Sequence, residues 1–314
     1  MNKKIIRVKQ ADDAPFHLTW IINNICTNAC SYCPTSLHTG KNHNYDWGNA
    51  RRFFQTLFEK YPKVHCSIAG GEPSLSPFLP ELVKIFYDHN STVGMTSNAA
   101  KTVGYWKEIA PYLTYIGFSW HPEFVDDKFL EKALTVAEHT PVTVRVMMHP
   151  AHWDKCVKAY YKFVDTPGFE VENVRVLDWG SDTDRSASKY TPEQLEWFDN
   201  NSRKTKMITH QVYNHKPKLG NDVDFQMNNG EFERNHTIDY INKGMTNFYG
   251  YQCEIGLKSL FIGWDGKIRR GNCSTGGVIG NINDPNNIMW PDKPIICDLN
   301  ICHCTTDVKI NKWI

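Results

Sequence analysis

No stretch of the sequence approaches the roughly 20 consecutive apolar residues that a membrane helix needs. Met1 to Arg7 open the chain without a sustained apolar segment, so no secretory leader is read there and a cytoplasmic protein is expected. Charge of one sign is missing too. The 35 Lys and Arg against 34 Asp and Glu leave a net charge of +1, which argues against a broad phosphate-binding surface and makes a nucleic-acid partner a poor reading. Basic pairs such as Arg269-Arg270 then read as solvated faces or local anion contacts. Internal repeats and low-complexity tracts are absent, which removes repeat arrays and disordered scaffolds. With 41% apolar and 22% charged residues over 314 positions, what remains is an ordinary globular composition. The length suits one large α/β domain with a smaller appendage.

Cysteine is plentiful, and its placement carries the argument. Ten cysteines fall into two groups, Cys26/Cys30/Cys33 and Cys253/Cys273/Cys297/Cys302/Cys304, with Cys66 and Cys156 isolated. In a reducing compartment such grouping reads as metal ligation rather than disulfides. The pair Cys30-x-x-Cys33 alone would suit zinc or a redox dithiol. Cys26 adds a third thiol to the same short loop, directly after the β-prone run Phe16 to Ile22, and the aromatic Tyr32 precedes the last cysteine. Three inward-turned thiols can hold three corners of a cubane iron-sulfur cluster and leave its fourth iron without a protein ligand. Downstream, the apolar run Val64 to Ala69 ends in Gly70-Gly71-Glu72-Pro73. Two glycines at a strand end let backbone approach a ligand closely, and a glutamate with nearby carbonyls can accept bonds from an ammonium group.

This loop followed by this turn resembles the radical S-adenosylmethionine (SAM) superfamily. The resemblance implies a 4Fe-4S cluster on Cys26, Cys30 and Cys33, with SAM chelating the open iron beside Tyr32 and Gly70 to Pro73. It also implies a partial (βα)6 barrel related to the TIM fold. The periodicity itself supports six strands with intervening helices and cannot separate a curved sheet from a flat one. Strands are expected at Phe16 to Ile22, Val64 to Ala69, Thr92 to Thr96, Tyr115 to Trp120, Val142 to Met148 and Val174 to Leu177. Helices are expected at Trp47 to Tyr61, Pro80 to Asp88, Lys101 to Tyr112, Asp127 to His139, Trp153 to Val164 and Pro192 to Asp199.

Ligands of parallel α/β sheets gather at the carboxyl ends of the strands. Ser97 and Asn98 close the third strand in a turn similar to the family's Thr-Asn-Gly, with Ala99 in place of glycine. Ser119 ends the fourth and Arg145 lies in the fifth. By resemblance these four contact SAM; the structural alternatives are local caps for Asn98 and Ser119 and an ion pair for Arg145. His121, His149 and Asp178 also follow strand ends and are candidates to face a substrate, or are satisfied structural residues.

The last segment has its own plan. Cys253 precedes the run Leu257 to Gly263, Asp265-Gly266 offers a two-residue turn, and Lys267 to Gly271 returns to Cys273, so a hairpin is expected to bring two thiols together. Cys297, Cys302 and Cys304 follow. A four-thiolate zinc site is the alternative, while the layout is similar to the auxiliary-cluster twitch and SPASM modules of radical SAM enzymes and implies a second iron-sulfur cluster. The expected domains are an N-terminal extension (1–14), the barrel (15–215), a connection (216–239) and the twitch-like module (240–314). The resemblance implies an oxidoreductase that cleaves SAM to a 5'-deoxyadenosyl radical, draws electrons from a flavodoxin or ferredoxin, and oxidises a small molecule. A ribosomal peptide maturase, a modified-nucleoside isomerase and a non-catalytic metal-binding scaffold remain as alternatives.

Overall fold

The computed structural model describes residues 3–41, 44–176, 190–201 and 222–314. In chain order the strands and helices are β1 (Ile5–Lys9), β2 (Phe16–Ile21), α1 (Trp47–Lys60), β3 (Val64–Ala69), α2 (Leu79–Asp88), β4 (Thr92–Ser97), α3 (Val103–Ile109) and β5 (Tyr115–Trp120). Then follow α4 (Phe129–Ala137), β6 (Val142–Met148), α5 (Trp153–Val164), β7 (Glu170–Arg175), α6 (Pro192–Asn201), β8 (Asp222–Met227), β9 (Phe232–His236) and α7 (Thr237–Asn242). The C-terminal part holds β10 (Gln252–Cys253), β11 (Ser259–Ile262), β12 (Lys267–Arg269), β13 (Val278–Asn281), β14 (Ile295–Ile296), α8 (Thr305–Lys309) and β15 (Lys312–Trp313).

Strands β2 to β7 pair in sequence and in parallel, the six expected strands of a partial (βα)6 barrel. The sixth starts earlier than expected, at Glu170–Arg175 where Val174 to Leu177 was the expected span; its register places Glu170 and Glu172 beside Thr143 and Arg145, and Leu177 lies outside the described residues. One sheet face is apolar and covered by helices. Leu18, Trp20, Cys66, Ile68, Val93, Met95, Phe118, Val144 and Val146 are all buried there against side chains such as Phe53, Phe54, Leu57, Leu82 and Phe86. Each such side chain contributes about 1.5–3 kcal/mol on burial. Helix α1 begins at Asp46, whose carboxylate accepts the Asn49 N–H at 2.8 Å. Helix α6 begins at Thr191, which caps Gln194 N–H while the Gln194 side chain accepts the Thr191 N–H, a reciprocal capping box.

The opposite sheet face is polar and small. It carries Thr19, Ser67, Gly94, Thr96, Gly117, Ser119, Thr143 and Arg145 in register across β2 to β6. Gly117 leaves the space that the Arg145 guanidinium crosses, since a Cβ there would stand 2.4 Å from Nη1.

Residues 1–14, expected as an extension, contribute β1 to a second sheet ordered β14-β10-β15-β1-β8-β9, so both ends of the chain meet as antiparallel neighbours. The segment expected as a connection holds the β8–β9 hairpin. The hairpin expected between Cys253 and Cys273 is present as β11–β12, but β11 lies parallel to β2 and extends the barrel sheet. Its turn has three residues between Gly263 and Lys267, with Gly266 at φ 76°, the left-handed conformation that closes such loops. Among the described residues no helix is long and apolar enough to cross a membrane.

At the amino end of the barrel, His65 lies 2.8 Å from Thr92 Oγ1 and 3.2 Å from Ser67 Oγ, which also lies 3.2 Å from His17 Nε2. Burial, with Lys309 nearby, lowers His65 from its ordinary 6.5 to about 3, and burial lowers His17 in the same direction. The fold therefore favours the neutral rings: their stabilisation is complete above pH 6.5 and is lost as pH falls toward 3, at up to ~1.4 kcal/mol per pH unit for His65 alone. Urea midpoints measured from pH 7.5 to 4.5 should fall with acidity, and should fall less steeply in His65→Gln.

Candidate active site at the cysteine loop

The loop from Asn23 to Pro34 leaves the carboxyl end of β2, and the end of β3 is pressed directly against it. Gly71 N–H donates to Asn23 O at 3.0 Å, Glu72 N–H to Ile25 O at 2.7 Å, and Asn23 Nδ2 to Glu72 O at 3.0 Å. A Cβ at Gly71 would stand 2.4 Å from the carbonyl oxygens of both Ile25 and Leu37; one at Gly70, whose φ is 154°, would stand 2.6 Å from Asn23 O. The two glycines thus set the height of the cysteine loop above the sheet, a role the sequence pattern did not separate from ligand binding.

Glu72 is fully buried, and its carboxylate accepts hydrogen bonds from Ser74 N at 2.9 Å, Ser97 Oγ at 2.7 Å and Asn98 N at 2.6 Å. It ties the end of β3 to the end of β4. Desolvation raises its pKa, and these three donors oppose that. An ammonium acceptor was expected at Glu72; its side chain is committed to the protein, and the backbone of Gly70 to Pro73 is what the turn presents. Ser97 is likewise internal, held between Glu72 and Ala99 N–H. Ala99 takes φ 61° while fully buried, the left-handed turn for which glycine was the expected residue.

Asn98 is different. Its Nδ2 donates toward Cys26 Sγ at 3.5 Å and to Thr27 Oγ1 at 3.3 Å, while its Oδ1 is buried without a partner among the described residues. Asn28 N–H also points at Cys26 Sγ, at 3.3 Å. Such N–H groups favour thiolate over thiol, whereas burial raises Cys26 and Cys33 and pushes Cys30 up to about 12. The three free thiols therefore lose protons on metal binding. A thiol-rich loop with N–H donors aimed at sulfur fits an iron-sulfur cluster, and the orphaned Asn98 acceptor fits a ligand with N–H or O–H donors.

Two of the substrate candidates brace the loop. His121 Nδ1 lies 2.6 Å from the Tyr32 hydroxyl and 3.5 Å from Cys30 Sγ. Burial keeps it neutral, lowered to about 4. His149 Nδ1 accepts the Ala151 N–H at 3.1 Å, so the neutral ring carries its proton on Nε2, 3.2 Å from Ser31 Oγ. Glu123 accepts the Ser31 N–H at 3.0 Å; its position after β5 was the only signal for it. Ser119 is buried on the inner face. Arg145 takes the ion-pair alternative, donating to Glu172 at 3.0 Å and to Thr96 Oγ1 at 3.1 Å. Asp178 lies outside the described residues.

In the C-terminal part, Cys253, Cys273, Cys297 and Cys302 line one cavity with Ile255, Thr275, Leu299, Asp307 and Lys312. Cys304 is not among its lining, although it lies near enough to Cys302 to affect its charge. Asp307 accepts the Cys273 N–H at 2.7 Å. Among the described residues no three His, Cys, Asp or Glu side chains are placed to hold a single metal ion.

Substitution of Gly71 by Ala tests the contact between turn and loop. The added methyl meets two backbone oxygens that cannot rotate away, so the loop must shift. Gly71→Ala is expected to fold, with an unchanged far-ultraviolet circular dichroism spectrum, and to bind less than half the wild-type iron at the Cys26/Cys30/Cys33 site after anaerobic reconstitution.

Comparison with known proteins agrees with this geometry. Residues 20–163 match the model of the radical SAM superfamily. No curated protein matches the chain. Among solved structures, Streptococcus suis SuiB bound to precursor peptide SuiA is 15% identical, with a TM-score of 0.51 over 88% of this chain and 65% of SuiB. Native anSMEcpe with bound AdoMet and Cp18Cys peptide is 15% identical, with a TM-score of 0.50 over 86% of this chain and 78% of that one. At such identity the likeness is one of fold. Residues 20–163, which contain the three-thiol loop and the Gly70-Pro73 turn, are a radical SAM domain.

Proposed function

We propose that this chain is a radical SAM oxidoreductase that removes hydrogen from an unactivated carbon of a small molecule and oxidises it. The observation that carries the reading is the three-thiol loop locked onto Gly70-Gly71 at the carboxyl ends of parallel strands, with Asn98 Oδ1 unpartnered beside Cys26. A 4Fe-4S cluster on Cys26, Cys30 and Cys33, with SAM bound, would supply a 5'-deoxyadenosyl radical there. The chain's own residues then bind, orient and shield. Asn98 offers its free acceptor to a donor group of SAM, and its amide and the Asn28 N–H favour the Cys26 thiolate. Tyr32 and His121 cover Cys30, keeping that side of the loop dry. The polar inner face, with Thr96, Ser119, Thr143 and the Arg145–Glu172 pair, offers hydrogen bonds to a polar substrate. The peptides held by the SuiB and anSMEcpe structures make a peptide the second reading.

Four thiols around one cavity support a second, auxiliary iron-sulfur cluster on Cys253, Cys273, Cys297 and Cys302, leaving Cys304 as a spare thiol. Such a cluster, held by these thiols, would supply an acceptor for the second electron that the substrate loses. A flavodoxin or ferredoxin would supply the electrons for the cluster on Cys26, Cys30 and Cys33, and the cytoplasm is the compartment that fits both sites.

Anaerobically reconstituted, reduced protein should convert SAM to 5'-deoxyadenosine, and joint replacement of Cys26, Cys30 and Cys33 by Ala should abolish this. Equal yields from both proteins would overturn the reading. The triple variant should keep iron and sulfide equivalent to about one cluster per chain. Adding Cys302→Ala should remove that cluster, and adding Cys304→Ala should leave it; stoichiometric zinc without sulfide would establish a structural clip instead. Replacing Cys253 and Cys273 by Ala should leave SAM cleavage largely intact and suppress oxidised product.

A further inference from the structure

The cavity of the C-terminal thiols contains a cation. Lys312 is 1% exposed, and its position follows from strand register: β15 lies between β10 and β1, with Lys312 directly opposite Cys253 on one side and Val8 on the other. The same row continues through Ile295 opposite Cys253 and Phe225 opposite Val8. Residues directly opposite share a sheet face, so a lysine interrupts an otherwise apolar row and lines the cavity with Cys253.

Its three donors are used on backbone. Nζ donates to Asp307 O, to Ile310 O at 2.9 Å and to Val308 O at 3.4 Å, the carbonyls around the end of α8, and lies 5.2 Å from the Phe248 ring centroid. Carbonyl dipoles satisfy the hydrogen-bonding capacity of an ammonium and leave its charge unneutralised. Among the described residues no carboxylate forms an ion pair with it; Asp307, in the same cavity, accepts the Cys273 N–H instead. A buried cation without a directly paired anion is a costly arrangement. The groups facing it that can carry negative charge are Asp307, whose carboxyl it pulls down against the upward push of burial, and the thiols, where it likewise opposes that push on Cys253 and Cys302.

We infer that Lys312 is the built-in counter-charge of the auxiliary cluster and sets its reduction potential upward. The inference rests on the auxiliary-cluster reading above. A cluster held by four thiolates would be net negative and would gain one further negative charge on taking one electron, with no bond broken. A fixed positive charge stabilises the reduced form more than the oxidised one, so the site accepts an electron more readily than an uncompensated thiolate cluster in the same apolar surroundings.

The test uses the full-length chain with Cys26, Cys30 and Cys33 replaced by Ala, so that the tail alone contributes signal. Reduction is followed by electron paramagnetic resonance in a mediated dithionite titration. Lys312→Met should shift the reduction equilibrium at least tenfold toward the oxidised form, about 59 mV for a one-electron couple. Lys312→Arg, which keeps the charge, should stay within twofold of the parent. If Lys312→Met retains no tail iron while Lys312→Arg retains it, the same requirement for charge is established through assembly. If Met and Arg variants behave alike, whether both unshifted, both shifted or both without iron, the role is packing and the inference is overturned. A parent that binds no iron and sulfide marks failure of the auxiliary-cluster reading itself, seen before either Lys312 variant is measured.

Discussion

Everything at the carboxyl end of the barrel depends on backbone meeting backbone where β3 ends. Gly70 and Gly71 come so close to the Asn23, Ile25 and Leu37 carbonyls that no side chain fits between them. The height of the thiol loop is therefore set by main-chain hydrogen bonds from the sheet, to which its own Asn23, Ser31 and Tyr32 side chains add contacts. Glu72 carries the constraint onward. By accepting from Ser97 and from the Asn98 amide, it fixes the turn after β4 against the same loop and aims Asn98 at Cys26. A loop of thiols, a strand end and a turn become one rigid unit, the condition for holding reacting groups in a fixed relation.

Much of this was legible in the sequence because period and spacing are local. The alternation in β2 and β3 and the amphipathic pattern of α1 and α5 report which face meets the helices, and the three-thiol spacing reports a ligand loop. What was not legible is nonlocal. The carboxylate of Glu72 could as well have faced a ligand as Ser97; only the register of β3 on β4 decides it. His121 and His149 follow strand ends in the manner of substrate-facing residues, yet Tyr32 and Ser31, some 90 to 120 positions earlier, claim their ring nitrogens. The start of strand β7 is hard to see in the sequence because its inner face carries Glu170 and Glu172, which hide a strand from any apolar count.

The C-terminal thiols show the same division. Their number and clustering are legible in the sequence, but Cys253 and Lys312 become neighbours through a two-residue pairing between β10 and β15, too short to leave a pattern. The second sheet owes its inner row to β1, a five-residue strand far from β8 and β15 in sequence.

The parallel pairing of β11 on β2 has a consequence for how the protein is made. Strand β2 leaves the ribosome before β3 to β10 are made, while its partner Ser259–Ile262 follows all of them. At about 5–20 residues per second, one edge of the nascent sheet stays unpaired for on the order of ten seconds or more. Unpaired edges recruit other strands, so biosynthesis has a window of vulnerability written into the topology. The mature protein closes it with its own tail, and a ribosome that stalls before the tail emerges leaves a sheet with an open, adhesive side.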